Sequence, residues 1–247
     1  MKTKLLIMFI ALFAFAVNNG ARAQVYHYDV NNDGEVDITD VILVVNYILG
    51  KDNESQNTHE AIDLGLPSGT EWASCNVGAL RPEKYGGYYA WGETEEKEHF
   101  TFENYIHCDG SYANCHDLGS DISGTEYDVA HVKWGGNWCM PTIDDFKELL
   151  ENCTFMWTTL NGVTGGRFTS NINGNSIFLP ATGYGDYDGI TLTGINGYYL
   201  SSTQDPNRSD GTSGLYFFSH TAYWNYFHRQ YGYNIRPVLK KSASLPT

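Results

Sequence analysis

Oxygen-bearing side chains recur at fixed intervals between residues 29 and 40, where the sequence is DVNNDGEVDITD. Calcium takes about six to eight hard oxygen ligands around one point, so the chain must wrap closely around the ion. Gly34 permits the sharp turn that this wrapping needs. The spacing therefore predicts a calcium loop with side-chain ligands and one backbone carbonyl, that of Glu35. The predicted side-chain ligands, in order, are Asp29, Asn31, Asp33, Asp37 and Asp40.

The residues around this loop indicate its type. The loop follows the EF-hand pattern, except that Asp40 stands where the last ligand is usually Glu. Residues 24–28 are too few for an incoming helix, whereas the apolar residues over 38–49 predict one following helix that ends at Gly50. This arrangement resembles a single dockerin type I repeat, which implies calcium binding and a cohesin-like partner. Dockerins usually carry two repeats, so burial of the helix against the chain's own main domain is the alternative.

The N-terminus has the pattern of a secretory signal. Lys2 and Lys4 precede an apolar run over 5–17, and Ala21-Arg22-Ala23 presents small residues at the spacing of a cleavage site. The run is too short for a stable membrane span, so we expect no span in the mature protein. The sequence therefore predicts a protein that is secreted, periplasmic or on the outer surface of a bacterium. The expected divisions are a signal peptide over 1–23, a calcium loop and helix over 24–50, a linker over 51–60 and a main domain over 61–241.

The composition restricts the class of partner. The formal net charge of −14 gives no basic surface for phosphate groups, so we expect no binding to nucleic acid. The chain contains 26 Gly, 18 Tyr, 12 Phe and 6 Trp, a mixture typical of β-rich or loop-rich domains held together by aromatic packing. Aromatic, amide and glycine residues are also typical of recognition surfaces.

The main domain shows many short β-type segments and few helical ones. Thr142 begins a helix through a capping pattern, and a second, weaker helix is predicted over 125–134. The stretch 93–124 has little periodicity and is expected to be mostly loop. The predicted strands are 61–66, 71–77, 87–92, 154–159, 166–171, 175–180, 197–202, 214–219, 223–228 and 232–239.

Five cysteines follow residue 74, and a secreted protein can form disulfides. Cys108 and Cys115 bracket a turn-prone stretch that could close a short loop. The other three cysteines could pair in more than one way, and the odd number leaves at least one thiol unpaired within the chain.

Seven segments of the main domain form a distinctive series. They are DLGLPSGT at 63–70, WASCNVGA at 72–79, PEKYGGYYAWGET at 82–94, WGGNWCMPT at 134–142, NGNSIFLPA at 173–181, GYYLSST at 197–203 and RPV at 236–238. In this order they resemble the Fibrobacter succinogenes major paralogous domain. The resemblance implies an α+β, C-type-lectin-like fold without established catalytic activity. It also implies the disulfides Cys108–Cys115 and Cys75–Cys153, and it leaves Cys139, at a position where the family usually has Arg, as the unpaired thiol.

Aromatic and amide side chains are concentrated near the C-terminus and form the candidate ligand site. Aromatic rings stack on sugar faces and amides bond hydroxyl groups, so one face of a strand here could meet a glycan or a surface protein while the other packs inward. The alternative is a hairpin whose two faces are both packed. C-type lectins that bind sugar through calcium have a similar pattern, but Tyr226 replaces its last Asp, which leaves too few oxygens for a tight ion. The candidate residues are Asp205, Asn207, Tyr223, Trp224, Asn225, Tyr226, His228, Arg229 and Tyr231.

These observations favour a secreted, non-catalytic binding protein with a structural calcium loop and a glycan or protein ligand. A component of a polysaccharide-degrading assembly, attached through its dockerin-like repeat, is a compatible alternative. An enzyme of the formylglycine-generating type is disfavoured, because that chemistry needs paired reactive thiols late in the domain and no cysteine follows Cys153.

Overall fold

A computed structural model describes residues 38, 40, 41, 59–111 and 114–240. The chain divides into two compact units, residues 1–58 and 59–247. In the first unit, Ile38, Asp40 and Val41 are helical, and Asp40 is buried whereas Ile38 is exposed. The predicted signal peptide and the predicted calcium ligands from Asp29 to Asp37 lie outside the described residues. The divisions at residues 23, 50 and 60 stay predictions.

The second unit is built from antiparallel strands. Segments rich in aromatic and β-branched residues form its long strands, and Gly and Asn residues separate them. The described part contains twelve strands and two helices. They are β1 (Ala61–Asp63), β2 (Glu71–Ala73), α1 (Val129–Trp134), β3 (Trp138–Cys139), α2 (Ile143–Asn152), β4 (Cys153–Leu160), β5 (Val163–Ser170), β6 (Ser176–Pro180), β7 (Tyr184–Asp186), β8 (Gly189–Thr191), β9 (Gly197–Gln204), β10 (Gly211–Phe218), β11 (Thr221–His228) and β12 (Val238–Leu239).

The predicted α+β fold class, with its helix-loop module and C-type-lectin-like domain, is wrong. Strands dominate the described residues, and the two helices span only six and ten residues. Both predicted helices of the main domain are present, but they are short. Asp128 caps α1, which ends at Gly135, and a capping box between Thr142 and Asp145 starts α2, which gives way directly to β4 at Cys153.

The strands form four separate small sheets. β12 pairs between β2 and β3, and β1 completes that sheet, so the C-terminal segment closes onto the start of the domain. Two three-stranded sheets have the orders β4-β5-β6 and β11-β10-β9, and β7 pairs with β8. In the sheet of β9, β10 and β11, β11 is an edge strand with only β10 beside it.

The sheet of β9, β10 and β11 lies between two parts of the core, because successive side chains of a strand point to opposite faces. Tyr199 belongs to one cluster, with Leu215 and Phe217, while the adjacent Leu200 belongs to the other. Tyr216 is partly buried against the second cluster. Packing on both faces therefore fixes the position of β10 and of the hairpin that it forms with β11.

Most long strands coincide with predicted ones, but two predicted strands were wrong and three observed strands were not predicted. Residues 87–92 contain no strand, only a bridge between Tyr89 and Tyr233. Of 232–239, only Val238–Leu239 is a strand, because this segment bonds in turn to several loops. The strands β3, β7 and β8 were not predicted, and each has only two or three residues.

One of the two predicted disulfides is present and the other is not. Cys108 and Cys115 form a disulfide, whereas Cys75, Cys139 and Cys153 are free and buried. The predicted pair Cys75–Cys153 is wrong, because the two thiols belong to different environments. Cys75 follows β2 and its thiol lies 3.0 Å from the carbonyl oxygen of Ala79, while Cys153 packs in the core cluster that contains Phe168.

We expect three free thiols in the unfolded, unreduced protein and five after reduction, measured by titration with a thiol reagent. Burial raises the pKa of Cys139 and of Cys153 to about 11, so the thiolate is scarce at pH 8 and the folded protein should react slowly. A single thiol in the unreduced, unfolded protein would show a second disulfide among Cys75, Cys139 and Cys153 and contradict the structure.

Candidate functional site

An open groove of about 540 Å³ lies beside the edge strand β11. We call it the tryptophan groove, because Trp224 and Tyr226 of β11 form one wall. Polar side chains form most of the remaining wall. These are Asp117, Ser120, Lys147, Thr203, Gln204, Asp205 and Ser213.

The two aromatic side chains are presented by their place in the strand. Trp224 lies opposite Leu215 and Tyr226 opposite Ser213 in the register of β10 and β11. Because β11 is an edge strand, the two residues remain 40% and 45% exposed. The rings meet edge to face with centroids 5.4 Å apart, a favourable geometry that limits their motion.

Helix α2 supplies a cation to the same groove. The amino group of Lys147 lies 5.4 Å from the ring centroid of Trp224 and 2.9 Å from a carboxylate oxygen of Asp144. The first contact is a cation–π interaction, and the second holds the amino group near the helix surface. The groove thus offers aromatic faces beside a positive charge and several hydroxyl and amide groups.

The loop between β9 and β10 shapes the end of the groove. Asp205 is buried, and its Oδ1 accepts a hydrogen bond from the backbone N–H of Asn207 at 2.8 Å. This bond closes a tight turn. Asp205 therefore contributes mainly by holding the loop, while Asn207 is exposed in the same turn and does not line the groove.

A second groove of about 370 Å³ contains most of the other predicted ligand residues. We call it the tyrosine groove. Tyr223, Asn225, His228 and Tyr231 line it together with Tyr184, Tyr198, Tyr216 and Tyr233. Tyr226 lines both grooves, so the two meet at this residue of β11.

Arg229 is not available to a ligand, which corrects its predicted role. Its side chain is fully buried, and its guanidinium lies 4.1 Å from the ring centroid of Trp91. Nε donates to the hydroxyl of Tyr105 at 3.0 Å, and Nη1 donates to the carbonyls of Ser209 and His116 at 2.7 and 3.2 Å. Burial lowers the pKa of Arg229, and the neighbouring Tyr105 opposes this shift.

The described residues give no support for a second calcium site near β11. No group of three or more His, Cys, Asp or Glu side chains within the described ranges could hold a metal ion. Separately, no helix among those residues is long and apolar enough to cross a membrane.

Sequence reasoning found the aromatic residues of the groove but missed Lys147, Gln204 and the segment 117–120. The capping pattern located α2, yet nothing in the local sequence indicated that this helix lies beside β11. That proximity comes from packing of α2 against β9, β10 and β11.

Comparison with known proteins gives one family match. Residues 27–65 match the dockerin type I domain family, a segment that includes most of the predicted calcium loop module and continues through β1. No curated protein and no solved structure matches the chain. The resemblance of 61–239 to the Fibrobacter succinogenes major paralogous domain therefore finds no support in these comparisons.

The matched segment contains ligand atoms of the kind that calcium prefers. Its candidate ligands are all carboxylate, amide or carbonyl oxygens, which calcium prefers. Asp40, the last of them, is buried although it carries a carboxylate. Dockerin type I domains bind calcium, and this agrees with the loop predicted from spacing.

Replacing Asp33 by Ala is expected to weaken calcium binding at least about tenfold, because it removes one of a small number of charged ligands. Isothermal titration of the mature protein measures this loss, and Asp52→Ala, which changes an acid outside the loop, is the matched control. Equal calcium affinity for Asp33→Ala and wild type would exclude the predicted loop as the binding site.

Proposed function

We propose that the protein is an extracellular, non-catalytic glycan-binding component of a cohesin-based, polysaccharide-degrading assembly. Residues 27–65 would attach it to a cohesin module through calcium, and the tryptophan groove would hold the glycan. The observation that carries the binding role is the exposed Trp224–Tyr226 pair within a polar groove. The secretory pattern of residues 1–23 supports the extracellular location.

The groove has the chemistry that sugar recognition requires. A sugar ring has apolar C–H faces and a rim of hydroxyl groups, so it needs an aromatic platform beside hydrogen-bonding side chains. Trp224 and Tyr226 supply the platform, while Gln204, Thr203 and Lys147 supply polar contacts. The volume of about 540 Å³ lies in the range of small-ligand sites, roughly 300 to 1,000 Å³.

Two observations support a non-catalytic role. Asp205 is held in a turn by the Asn207 amide, which leaves it poorly placed to act as a general acid or base. The free thiols of Cys75, Cys139 and Cys153 are buried, and burial raises the pKa of each, which opposes formation of a reactive thiolate. The formylglycine-generating type of enzyme therefore remains disfavoured.

Type I cohesin modules, tested as a panel against the mature protein, are expected to include at least one that binds in calcium and dissociates in chelator. Asp33→Ala should lose this binding because the docking is expected to depend on calcium, and Asp52→Ala should retain it. Surface plasmon resonance measures both. Failure of every cohesin to bind in calcium would remove the assembly role and leave the glycan role to its own test.

Trp224→Ala and Tyr226→Ala are each expected to weaken glycan binding about tenfold or more, since a buried aromatic anchor contributes roughly 1.5–2 kcal/mol. A glycan array identifies the ligand, and titration calorimetry then measures the affinities. Tyr187→Ala is the matched control, because Tyr187 is 69% exposed and lines neither groove. All three variants should unfold like the wild type. Absence of any glycan ligand, or equal loss in the control, would contradict the proposal.

A further inference from the structure

The tyrosine groove differs from the tryptophan groove in charge. Its lining includes no carboxylate, lysine or arginine, and most of it is aromatic. The tryptophan groove, in contrast, contains Asp117, Asp205 and Lys147. The two grooves therefore present different chemistry to solvent, and one ligand class does not suit both.

The tyrosine rings of the groove stand at angles to one another and pack in direct contact. Ring centroids of Tyr184 and Tyr198 are 5.1 Å apart, those of Tyr198 and Tyr216 are 4.8 Å apart, and those of Tyr216 and Tyr223 are 5.2 Å apart. The corresponding interplanar angles are 64°, 51° and 69°. Such a row of tilted rings forms ridges, whereas stacking on a sugar face requires one flat, accessible ring.

Hydrogen bonds within the groove occupy several of its acceptors. Nδ2 of Asn196 donates to the hydroxyl oxygens of Tyr198 and Tyr216, at 3.3 and 2.9 Å. Oδ1 of Asn225 accepts from the backbone N–H of Tyr226 at 2.9 Å. Burial raises the pKa of Tyr216 to about 12, so its phenol stays protonated at neutral pH. The groove therefore suits a ligand that brings acceptors and apolar surface rather than one that brings many hydroxyl donors.

We propose that the tyrosine groove binds a proline-rich segment of a partner protein in the polyproline II conformation. Proline residues have no backbone N–H, so such a segment presents carbonyl acceptors and apolar rings, which match the phenol donors and the uncharged aromatic lining. The polyproline II helix is extended before binding and loses little conformational entropy, and aromatic grooves recognise it in other proteins. This binding activity is separate from the glycan role of the tryptophan groove and does not depend on it.

The test titrates the mature protein with a capped decaproline peptide and, as a control ligand, a capped glycine-serine peptide of the same length. Binding is followed by calorimetry and by the amide spectrum of isotope-labelled protein. We expect decaproline to bind with a dissociation constant below about 1 mM and to shift the amides of β11, and the control peptide to leave both unchanged.

Three variants locate the site. Tyr223→Ala, which removes a ring that is already 41% exposed, should weaken decaproline binding about tenfold. Tyr198→Phe keeps the ring and removes one hydroxyl, and should weaken it about fivefold. Trp224→Ala, on the other face, should leave decaproline affinity unchanged. Matching unfolding curves for the three variants confirm that each is folded.

Two results would overturn the proposal. The first is no decaproline binding up to about 5 mM, or binding that Tyr223→Ala and Tyr198→Phe leave unchanged. The second is that the protein binds a glycan and does not bind decaproline, and that Tyr223→Ala loses the glycan binding while Trp224→Ala keeps it. That result would make the tyrosine groove a sugar site. Both outcomes leave the tryptophan groove to be judged by Trp224→Ala, because Trp224 lines that groove and not the tyrosine groove.

Discussion

Arg229 fixes the end of the strand that carries both grooves. A buried guanidinium costs several kcal/mol unless its charge and its donors are compensated, so its contacts constrain everything they touch. Its side chain joins Trp91, Tyr105 and the carbonyls of two separate loops, and its backbone bonds to Trp91 N–H and to the carbonyl of Asp210. Because β11 ends one residue earlier, at His228, this anchor fixes its position at the edge of the sheet.

The edge position explains why one strand can serve two surfaces. The middle strand β10 is buried on both faces, with Leu215 and Phe217 on one side and Tyr216 on the other. β11 has a neighbour on one side only, so Tyr223, Trp224 and Tyr226 keep about two-fifths of their surface exposed. A long, uncharged edge strand risks pairing with other chains. The bond from Tyr226 N–H to its neighbour's amide oxygen satisfies one donor on this strand locally.

Local sequence predicts the elements of this fold better than it predicts their assembly. The capping box of α2 and the alternating, aromatic strands β4 and β11 are encoded within a few residues, so their positions were close to the predicted ones. The two-residue strand β3 forms only by pairing with β12, and β12 forms by pairing with β2 and β3, which lie far away in the sequence. The α+β class failed because it came from a family resemblance. Arg229 was wrongly predicted to bind ligand, because it was treated as part of the strand, which ends one residue earlier at His228. The calcium loop was predicted from the spacing of its ligands alone, and the dockerin match over residues 27–65 agrees with that prediction.

The most direct test of the account is fluorine NMR of mature protein labelled with 5-fluorotryptophan, titrated with soluble polysaccharides. The chain has 6 Trp, and a Trp224→Phe variant assigns the resonance of Trp224. Trp72 and Trp91 are fully buried in the core, so they serve as internal controls. The account predicts that a bound polysaccharide shifts the Trp224 resonance while those of Trp72 and Trp91 stay in place. A polysaccharide that binds without moving the Trp224 resonance would contradict it.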